Sequence, residues 1–327
     1  MIDQPLVSVV IPSYNSRPYI AEAIDSVRVQ QVESLELVIV DDGSTDGSVD
    51  YIRQIAPEAR VISQANAGAA AARNHGVREA RGRYIAFLDA DDVWVPGKLQ
   101  AQLQVLEQRP EIDLVYGHFK PWYCDEQGQY PAPAKVETTP DQVAVIEDRV
   151  LPLAILFDSV VCIITVLVRA EALRDIELFN PDYTVGEDYD LWMRLSLLNR
   201  CAILPTTLAH YRDNPVSLTK SVPKQNFEKL VVEQAMERIR QRSPRALKKY
   251  LEPALQARLA DLDYSYGHGC FMAGRREDAR DAFASLLSHR PTLMARFLHR
   301  VACHSVLFKF CRKLLLWRRR LRDGAPG

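Results

Sequence analysis

LELVIVDDGSTDGS, residues 35–48, joins an apolar, β-branched run to an abrupt polar stop. The run predicts a buried strand over residues 35–40, because continuous apolar segments of this length are typical of strands covered on both faces. The Asp, Gly and Ser residues that follow favour a turn and a helix cap, so a helix is predicted over residues 48–56. The stretch therefore contains a strand, a turn and a helix in succession.

The same alternation continues along much of the chain. Further strands are predicted at residues 6–11, 60–63, 84–88 and 160–169, and helices at residues 18–29, 67–81 and 186–198. Residues 120–148 are rich in Pro and acidic residues and predict a long loop, and from residue 227 onward the spacing is helical. We therefore predict an α/β fold, a mostly parallel sheet flanked by helices, over residues 1–222, followed by an α-helical region over residues 223–327.

Polar residues fall just after several of the predicted strands. In sheets of this kind, ligands lie beyond the carboxyl ends of the strands, so the positions of these residues predict one ligand site. The alternative for Asp41-Asp42-Gly43 is structural, because Asp and Gly also form turns, and in isolation that interpretation is the stronger one. The residues at strand ends are Tyr14, Asp41, Asp42, Asp89 and Asp91.

FLDADD, residues 87–92, places carboxylates in DxD spacing at a strand end. Alternate residues of an extended segment point the same way, so Asp89 and Asp91 can address one ligand. Mg²⁺ commonly binds one or two carboxylates together with substrate phosphates, which makes a divalent cation bridging a diphosphate one interpretation. A solvated acidic turn is the other.

Glu187-Asp188 precede a predicted apolar helix. Acidic residues in a first helical turn interact favourably with the helix dipole, which is a sufficient structural reason for them. A carboxylate aimed into the cleft could equally deprotonate an acceptor hydroxyl as a general base.

Composition and motif searches exclude several other classes. The chain has no GxGxxG, GxxxxGK[ST] or GxSxG motif, and its six Cys are scattered without zinc-site spacing. Scattered Cys and the lack of a leader pattern predict a reducing, cytoplasmic location. Residues 282–322 contain no Asp or Glu although the net charge is −1. This basic end lacks the motif spacing of nucleic-acid binders and predicts an acidic surface as partner.

Seven motifs in order resemble the family 2 glycosyltransferases with the GT-A fold. The resemblance covers roughly residues 5–220 and rests on the whole series rather than on any single motif. The motifs are VSVVIPSYN (7–15), VIVDDGSTDGS (38–48), NAGAAAARNHG (66–76), YIAFLDADD (84–92), VLVRAEAL (166–173), GEDYDLWMRL (186–195) and YRDNPVSLT (211–219).

The resemblance implies inverting transfer of a sugar from a nucleoside-diphosphate sugar, with UDP expected as the nucleotide, to a hydroxyl acceptor. It implies that Asp91, more weakly supported by Asp89, binds Mn²⁺ or Mg²⁺, and that Asp188 is the catalytic base with Glu187 beside it. Trp192 is expected on the acceptor side. The residues expected to bind the nucleotide are Pro12, Tyr14, Asn15, Asp41, Asp42, Arg73 and Asp89.

One position departs from the family pattern. Relatives often carry His at the fourth position of YRxHxxS, where this chain has Asn214. Asn is a weaker oxygen ligand, so the substitution puts the metal affinity in doubt. It also supports an alternative function, a catalytically weak relative that binds nucleotide or glycan as a scaffold. A nucleotidyltransferase is a third class, but it would need a Gly-rich basic loop after the first strand, and SYNSRPYI (13–20) is not one.

The helical region contains two further patterns. Residues 260–293 resemble one tetratricopeptide-like hairpin, with Gly267, Gly274, Ala279, Phe283 and Pro291 at its small, turn and bulky positions. Beyond it, an apolar stripe with basic flanks predicts either a helix on the surface of an anionic membrane or a packed terminal helix. By analogy with the family, the first interpretation predicts a glycan or lipid-linked acceptor and a peripheral position on the inner face of the cell membrane. The stripe consists of Val306, Phe310, Leu314, Trp317 and Leu321.

Overall fold

The computed structural model describes residues 4–131, 161–196, 200–214, 222–242 and 245–322. The chain forms two compact units, Met1–Ser217 and Leu218–Gly327. The functions assigned to the predicted domains, with their boundary at residue 222, stay predictions.

A mixed sheet of eight strands forms the first unit, in the order β3-β2-β1-β4-β7-β6-β8-β5. The four strands from β3 to β4 are parallel, as are β6 and β8, whereas β7 is antiparallel to both of its neighbours and β5 is antiparallel to β8. The predicted mostly parallel α/β fold is confirmed. The strands are β1 (Val7–Ser13), β2 (Leu35–Asp41), β3 (Arg60–Ser63), β4 (Tyr84–Phe87), β5 (Val93–Trp94), β6 (Leu114–Trp122), β7 (Leu167–Arg169) and β8 (Cys201–Arg212).

Helices cover the sheet through the apolar faces that the sequence predicts. In the first of them, Ile20, Ala23, Ile24 and Val27 are buried at the predicted helical spacing. The helices of the first unit are α1 (Ile20–Arg28), α2 (Ser48–Ile55), α3 (Ala69–Glu79), α4 (Lys98–Gln108), α5 (Ala170–Arg174) and α6 (Glu187–Ser196).

The predicted strand over residues 160–169 is wrong for most of its described length. Ile163–Thr165 form a 3₁₀ turn, and only Leu167–Arg169 pair in the sheet. The Thr165 hydroxyl donates to the Cys162 carbonyl at 2.7 Å and closes the turn. The Trp94 indole donates to the Ile164 carbonyl at 2.8 Å, so a side chain replaces the neighbouring strand as donor. The β-branched residues reflect burial here rather than strand pairing.

The predicted loop over residues 120–148 begins too early. β6 continues to Trp122 and pairs there with the end of β8. The part of the predicted loop from residue 132 onward lies outside the described residues.

Helix α3 lies unusually close to the sheet because of Gly76. A Cβ atom at this position would fall inside van der Waals distance of Val10 Cγ1 on β1 and 3.3 Å from Val40 Cγ2 on β2. Arg73 lies one turn earlier on the same helix and is buried. The close approach therefore fixes the position of a charged side chain.

We expect Gly76→Ala to destabilise the protein by about 1–3 kcal/mol, because the added methyl group overpacks the helix–sheet contact. This steric cost exceeds the gain of about 1 kcal/mol that Ala brings to an exposed helix position. Arg78→Ala on the exposed face of α3 is the control and should change stability by less than about 0.5 kcal/mol. Urea unfolding of both variants measures the difference, and equal midpoints would contradict the close contact.

The second unit consists of helices around its own core. Gly267 permits the close approach of Phe283, whose Cε1 atom would lie 2.7 Å from an added Cβ. The helical C-terminal region is confirmed, whereas its assignment to the tetratricopeptide class stays a prediction. Among the described residues, no helix is both long and apolar enough to cross a membrane. The helices are α7 (Phe227–Arg242), α8 (Arg245–Ala273), α9 (Arg276–His289), α10 (Leu293–Cys303) and α11 (Ser305–Arg322).

Candidate active site

The ends of β1 and β2 are tied together by Asn15. This residue has a left-handed backbone with φ 48°. Its N–H donates to the Ser44 hydroxyl at 2.9 Å, and its side-chain oxygen accepts from the Thr45 N–H at 2.8 Å. Tyr14 beside it is 55% exposed, so its ring is accessible, while Pro12 is half-buried in β1 opposite Val40 of β2. These predicted nucleotide residues therefore come together at one edge of the sheet.

Asp41 has a buried acceptor atom. Its Oδ2 atom accepts from the Ser44 N–H at 3.3 Å, and its Oδ1 atom has no hydrogen-bond partner among the described residues. An unsatisfied buried acceptor is costly, commonly by about 1–3 kcal/mol. The position is therefore suited to receive an N–H group from a ligand.

Asp42 differs from its neighbour because its carboxylate is engaged by the chain. It accepts from Gln64 Nε2 at 2.8 Å, from the Ala67 N–H at 2.9 Å and from the Gly68 N–H at 2.8 Å. These bonds hold the loop that leads into α3. The structure thus gives Asp42 a positioning role, and its predicted contact with nucleotide stays a prediction.

Arg73 connects the end of β4 with the start of α6. Its terminal nitrogens donate to Asp89 Oδ1 at 2.7 Å and to Glu187 Oε1 at 2.5 Å. Burial lowers the pKa of the guanidinium, but the carboxylates of Asp89, Glu187 and Asp188 together raise it above its usual value. In this arrangement Arg73 binds carboxylates, and its predicted approach to the nucleotide base stays a prediction.

Asn74, the residue after Arg73, also connects α3 to the segment before α6. Asn74 donates to the Phe179 carbonyl at 2.7 Å and accepts from the Phe179 N–H at 2.9 Å. The Phe179 ring in turn lies 5.7 Å from the Arg73 guanidinium carbon. The segment that precedes α6 is thereby fixed to α3 on the side of the carboxylates.

Asp188 is a half-buried carboxyl group in the first turn of α6. Burial and the neighbouring Glu187 raise its pKa, Arg73 lowers it, and the result is about 7. The Tyr189 N–H donates to Asp188 Oδ1 at 2.8 Å and orients the group. A carboxylate with this pKa can accept a proton near neutral pH far better than an exposed one.

In the DADD turn after β4, Asp89 forms an ion pair with Arg73, whereas Asp91 and Asp92 form none with the described residues. Burial, followed by Asp89, raises the pKa of Asp91, and burial with both neighbouring carboxylates raises that of Asp92 well above its usual value. Asp92 Oδ1 accepts from the Arg212 N–H at 2.7 Å, but Asp92 Oδ2 has no partner within the described part of the chain. A cation at this turn would relieve the strain between the carboxylates.

The residues of the turn fit a divalent cation that shares its ligands with a substrate. The described residues contain no group of three His, Cys, Asp or Glu that would hold a metal by itself. Asn214 Nδ2 lies 3.4 Å from Asp91 Oδ2, and a flip of that amide would present an oxygen instead. Asp91 with Asn214 and the nearby Asp89 supplies the few oxygen ligands that Mg²⁺ or Mn²⁺ needs when phosphates complete its sphere.

Arg212 holds the turn in place, a role that the sequence did not predict. Its Nε–H donates to the Asp91 carbonyl at 2.6 Å, and a terminal nitrogen donates to Glu22 Oε2 at 2.9 Å. The guanidinium also lies 4.2 Å from the ring centroids of both Trp122 and Tyr130. The motif YRDN carries the arginine, but no spacing in the sequence indicates its distant aromatic partners.

Trp192, which the family resemblance places on the acceptor side, is buried in this structure. Its side chain is 2% exposed and packs edge-on against Phe87 and Phe179, with ring centroids 6.1 and 6.2 Å away. Helix α6 is buried on nearly every side, and the Trp192 indole N–H has no hydrogen-bond partner among the described residues. The predicted place of Trp192 on the acceptor side stays a prediction.

We expect Arg212→Ala to destabilise the first unit by about 2–4 kcal/mol, since it removes buried hydrogen bonds and two ring contacts. Arg212→Lys should recover part of this, because the charge persists without the planar fork. Arg53→Ala, at an exposed ion pair, is the control. Denaturant unfolding measures the stability of all three variants. An unfolding midpoint of Arg212→Ala equal to that of Arg53→Ala would contradict the role of Arg212 in holding the turn.

Comparison with known proteins identifies the class to which this fold and site belong. Residues 8–157 match the model of glycosyl transferase family 2. An uncharacterized glycosyltransferase of Haemophilus influenzae is 33% identical over 196 residues, which are 59% of this chain and 72% of that relative. The chain therefore belongs to glycosyl transferase family 2.

Other relatives match over less of their length. The putative teichuronic acid biosynthesis glycosyltransferase TuaG of Bacillus subtilis is 46% identical over 110 residues, 32% of this chain and 44% of that protein. An uncharacterized glycosyltransferase of Rickettsia felis is 32% identical over 194 residues, 58% of this chain. The chain spans only 31% of the length of that Rickettsia protein.

Two solved structures share the fold. Staphylococcus aureus TarS 1-349, in complex with UDP-GlcNAc, has 18% sequence identity, a TM-score of 0.56 and 90% coverage of each chain. The mannosyltransferase PcManGT from Pyrobaculum calidifontis, in complex with GDP-Man and Mn²⁺, has 18% identity, a TM-score of 0.51 and coverage of 94% of this chain and 84% of that one. At these identities the likeness establishes the fold and no more.

Proposed function

We propose that this chain is an inverting, metal-dependent glycosyltransferase that transfers a sugar from a UDP-sugar to a hydroxyl acceptor. The Arg73 bridge between Asp89 and Glu187 carries the proposal. It joins the strand end that would bind the donor to the helix start that bears Asp188. In this proposal the bridge would hold the nucleotide site and the proton acceptor next to each other.

The donor nucleotide would bind along the ends of β1, β2 and β4. Asp41 Oδ1 would accept the ring N–H of uracil, and Tyr14, Pro12 and Asn15 would form the surrounding pocket. Asp89 would bind the ribose. The UDP-GlcNAc complex of TarS supports uridine, while the GDP-Man complex of the archaeal neighbour makes GDP the competing candidate.

Asp91 would bind the metal ion, with Asp89 and Asn214 as weaker ligands. A divalent cation there supplies positive charge that stabilises the departing diphosphate. The Mn²⁺ bound to PcManGT supports this assignment. The raised pKa of Asp91 is consistent with it, because burial and the Asp89 carboxylate disfavour the charged form of Asp91, and a bound cation would stabilise that form.

Asp188 would act as the general base. It would take the proton from the acceptor hydroxyl as that oxygen attacks the anomeric carbon, while the bond from this carbon to the diphosphate oxygen breaks on the opposite side. The sugar is transferred with inversion, and the proton ends on Asp188. Arg73 keeps Glu187 in an ion pair, and burial together with Glu187 raises the pKa of Asp188 to about 7.

The acceptor would be a glycan or a lipid-linked glycan of the cell envelope. TuaG, which the chain resembles in part, is named for teichuronic acid biosynthesis. A position at the inner face of the cell membrane is consistent with such an acceptor, and nucleic acid is not proposed as a partner.

Asn214 favours a second candidate function, a nucleotide- or glycan-binding scaffold with weak catalysis. Its amide lies beside Asp91, where an imidazole would bind a metal more tightly. A metal-poor site would bind nucleotide without transferring the sugar efficiently.

Calorimetric titration of UDP, GDP and dTDP with and without Mn²⁺ tests the donor site. UDP should bind with Mn²⁺, Asp41→Asn should weaken binding by about 10- to 100-fold, and Asp91→Asn should remove the Mn²⁺ dependence. Asp50→Asn, at a 92% exposed carboxylate, is the matched control and should bind like the wild type. Failure of every nucleotide to bind would reject the donor site, and UDP binding without measurable transfer would favour the scaffold.

Asp188→Asn should lower kcat by about 10²- to 10⁴-fold, because the acceptor hydroxyl loses its base. UDP affinity should stay within about twofold of the wild type, since Asp188 does not contact the nucleotide in this scheme. Asp182→Asn, an exposed carboxylate near the same helix, is the control. Parallel loss of nucleotide binding and transfer would contradict the assignment.

The pH dependence of kcat/KM should report the titration of Asp188. The base works only when deprotonated, so kcat/KM of the wild type should fall as the pH drops through about 7 and level off above it. In Asp188→Asn the residual rate should lose this step. A step that persists in the variant would belong to another residue.

A further inference from the structure

Helix α11 has one buried face and one exposed apolar face. Phe308 is 3% exposed and belongs to the core of the second unit. Val306, Phe310 and Leu314, each four residues apart, are 80%, 65% and 42% exposed. Residues four apart form one row along a helix, so the predicted apolar stripe lies at the surface over its described part. The side chains of Trp317 and Leu321 fall outside that part.

Helix α10 also has one buried face and one exposed apolar face. Ala295, Val301 and Ala302 are buried in the same core, whereas Leu293 and Phe297 are 84% and 56% exposed. Most of the exposed large apolar side chains in the described ranges belong to α10 and α11. Concentrated exposure of this kind marks an interaction surface, whereas single exposed apolar residues do not.

Four cations lie around a cavity next to α11. A cavity of about 670 Å³ is lined by Arg276, Lys309, Arg312 and Lys313, and its lining contains no carboxylate. Arg276 donates to the Cys303 carbonyl at 3.1 Å and Arg312 to the Met272 carbonyl at 2.9 Å. These neutral acceptors orient the guanidinium groups without cancelling their charge, so the cavity is suited to an anion.

The order of the rows on α11 relates the cavity to the apolar face. The row of Phe308 and Arg312 faces the core and the cavity, the row of Lys309 and Lys313 comes next, and the apolar row of Val306 and Phe310 follows it. α10 places exposed Arg296 and Arg300 beside Leu293 and Phe297 in the same way. An apolar strip with a cationic flank is the arrangement of helices that lie in the surface of an anionic bilayer.

We propose that α10 and α11 form a docking surface for an anionic lipid bilayer, in which the apolar rows enter the membrane surface and the cavity binds lipid phosphate. The positive charge of α10 and α11 favours an anionic bilayer over a second copy of the chain as the partner. A symmetric pair would bring the same cations of both copies together, and residues 282–322 offer no acid to oppose them. Docking requires no donor and no catalysis, so its test is independent of the proposed sugar transfer.

Co-sedimentation of the full chain with phosphatidylcholine vesicles, with and without about 30% phosphatidylglycerol, tests the surface. The protein should sediment with the anionic vesicles, remain in solution with the neutral ones, and dissociate as salt increases. Lys309→Gln/Lys313→Gln should weaken partitioning by about 30-fold, and Phe310→Ser by about 10-fold or more. Circular dichroism and thermal unfolding confirm that each variant is folded.

Matched controls lie in the same unit outside the surface. Lys224→Gln/Arg238→Gln removes two charges, and Tyr264→Ser removes a 46% exposed ring; each should retain partitioning within about twofold. Equal effects of the surface and control variants, or equal binding to neutral vesicles, would overturn the proposal. So would loss of a dimer in Phe310→Ser by light scattering, or release from the vesicles by millimolar inorganic phosphate at constant ionic strength, which would assign the cavity to soluble phosphate.

Discussion

The ion pairs of Arg73 are the constraint on which the candidate site depends. Asp89, Glu187 and Asp188 crowd the edge of the sheet, and one buried guanidinium lies among them. A buried charge is stable only when it is paired and hydrogen-bonded, so neither the arginine nor the two carboxylates that it binds would be tolerated alone. The close seating of α3 at Gly76 makes this burial possible, because it brings Arg73 down to the level of the strand ends.

The charges of the site are divided unequally. Near α6, Arg73 compensates two carboxylates and leaves Asp188 with a raised pKa. At the DADD turn, the Arg212 backbone N–H donates to Asp92 and its guanidinium donates to the Asp91 carbonyl. The charge of Arg212 lowers the pKa of Asp91, but burial and Asp89 raise it by more. The first region is suited to moving a proton and the second to binding a cation. Burial and the neighbouring carboxylates raise the pKa values of Asp188 and Asp91, and the two arginines oppose that rise.

Local patterns predicted the parallel half of the sheet and the residues at its strand ends. An apolar run that stops at Asp41 identifies both the strand and its polar end, because the two features are adjacent in sequence. The sequence could not separate the roles of Asp41 and Asp42, since neighbouring carboxylates face different partners and the loop at Gly68 that engages Asp42 is distant along the chain. The burial of Trp192 could not be predicted for a related reason, because a helix that is buried on nearly all sides has no polar face to reveal its orientation.

The remaining features depend on contacts between distant segments. Arg212 meets Trp122 and Tyr130 only because β6 and β8 are paired, and neither strand was predicted. The turn at Ile163–Thr165 has the β-branched composition of a strand, but its carbonyls accept bonds from side chains of Trp94 and Gln102. A β-branched composition therefore indicates that a segment is buried. Whether the segment forms a turn or a strand depends on which hydrogen-bond donors from the rest of the fold reach its carbonyls.

The two units differ in the charge that a phosphate would meet, and this contrast constrains how each proposed site could bind it. The edge of the sheet is rich in carboxylates, and its two buried arginines are already engaged, so a diphosphate can approach only together with a cation that both sides share. The cavity between α9 and α11 has four cations and no carboxylate in its lining, so a phosphate can bind there without a metal. If both proposals hold, a chain with a net charge of −1 combines an anion site that needs a metal with one that does not.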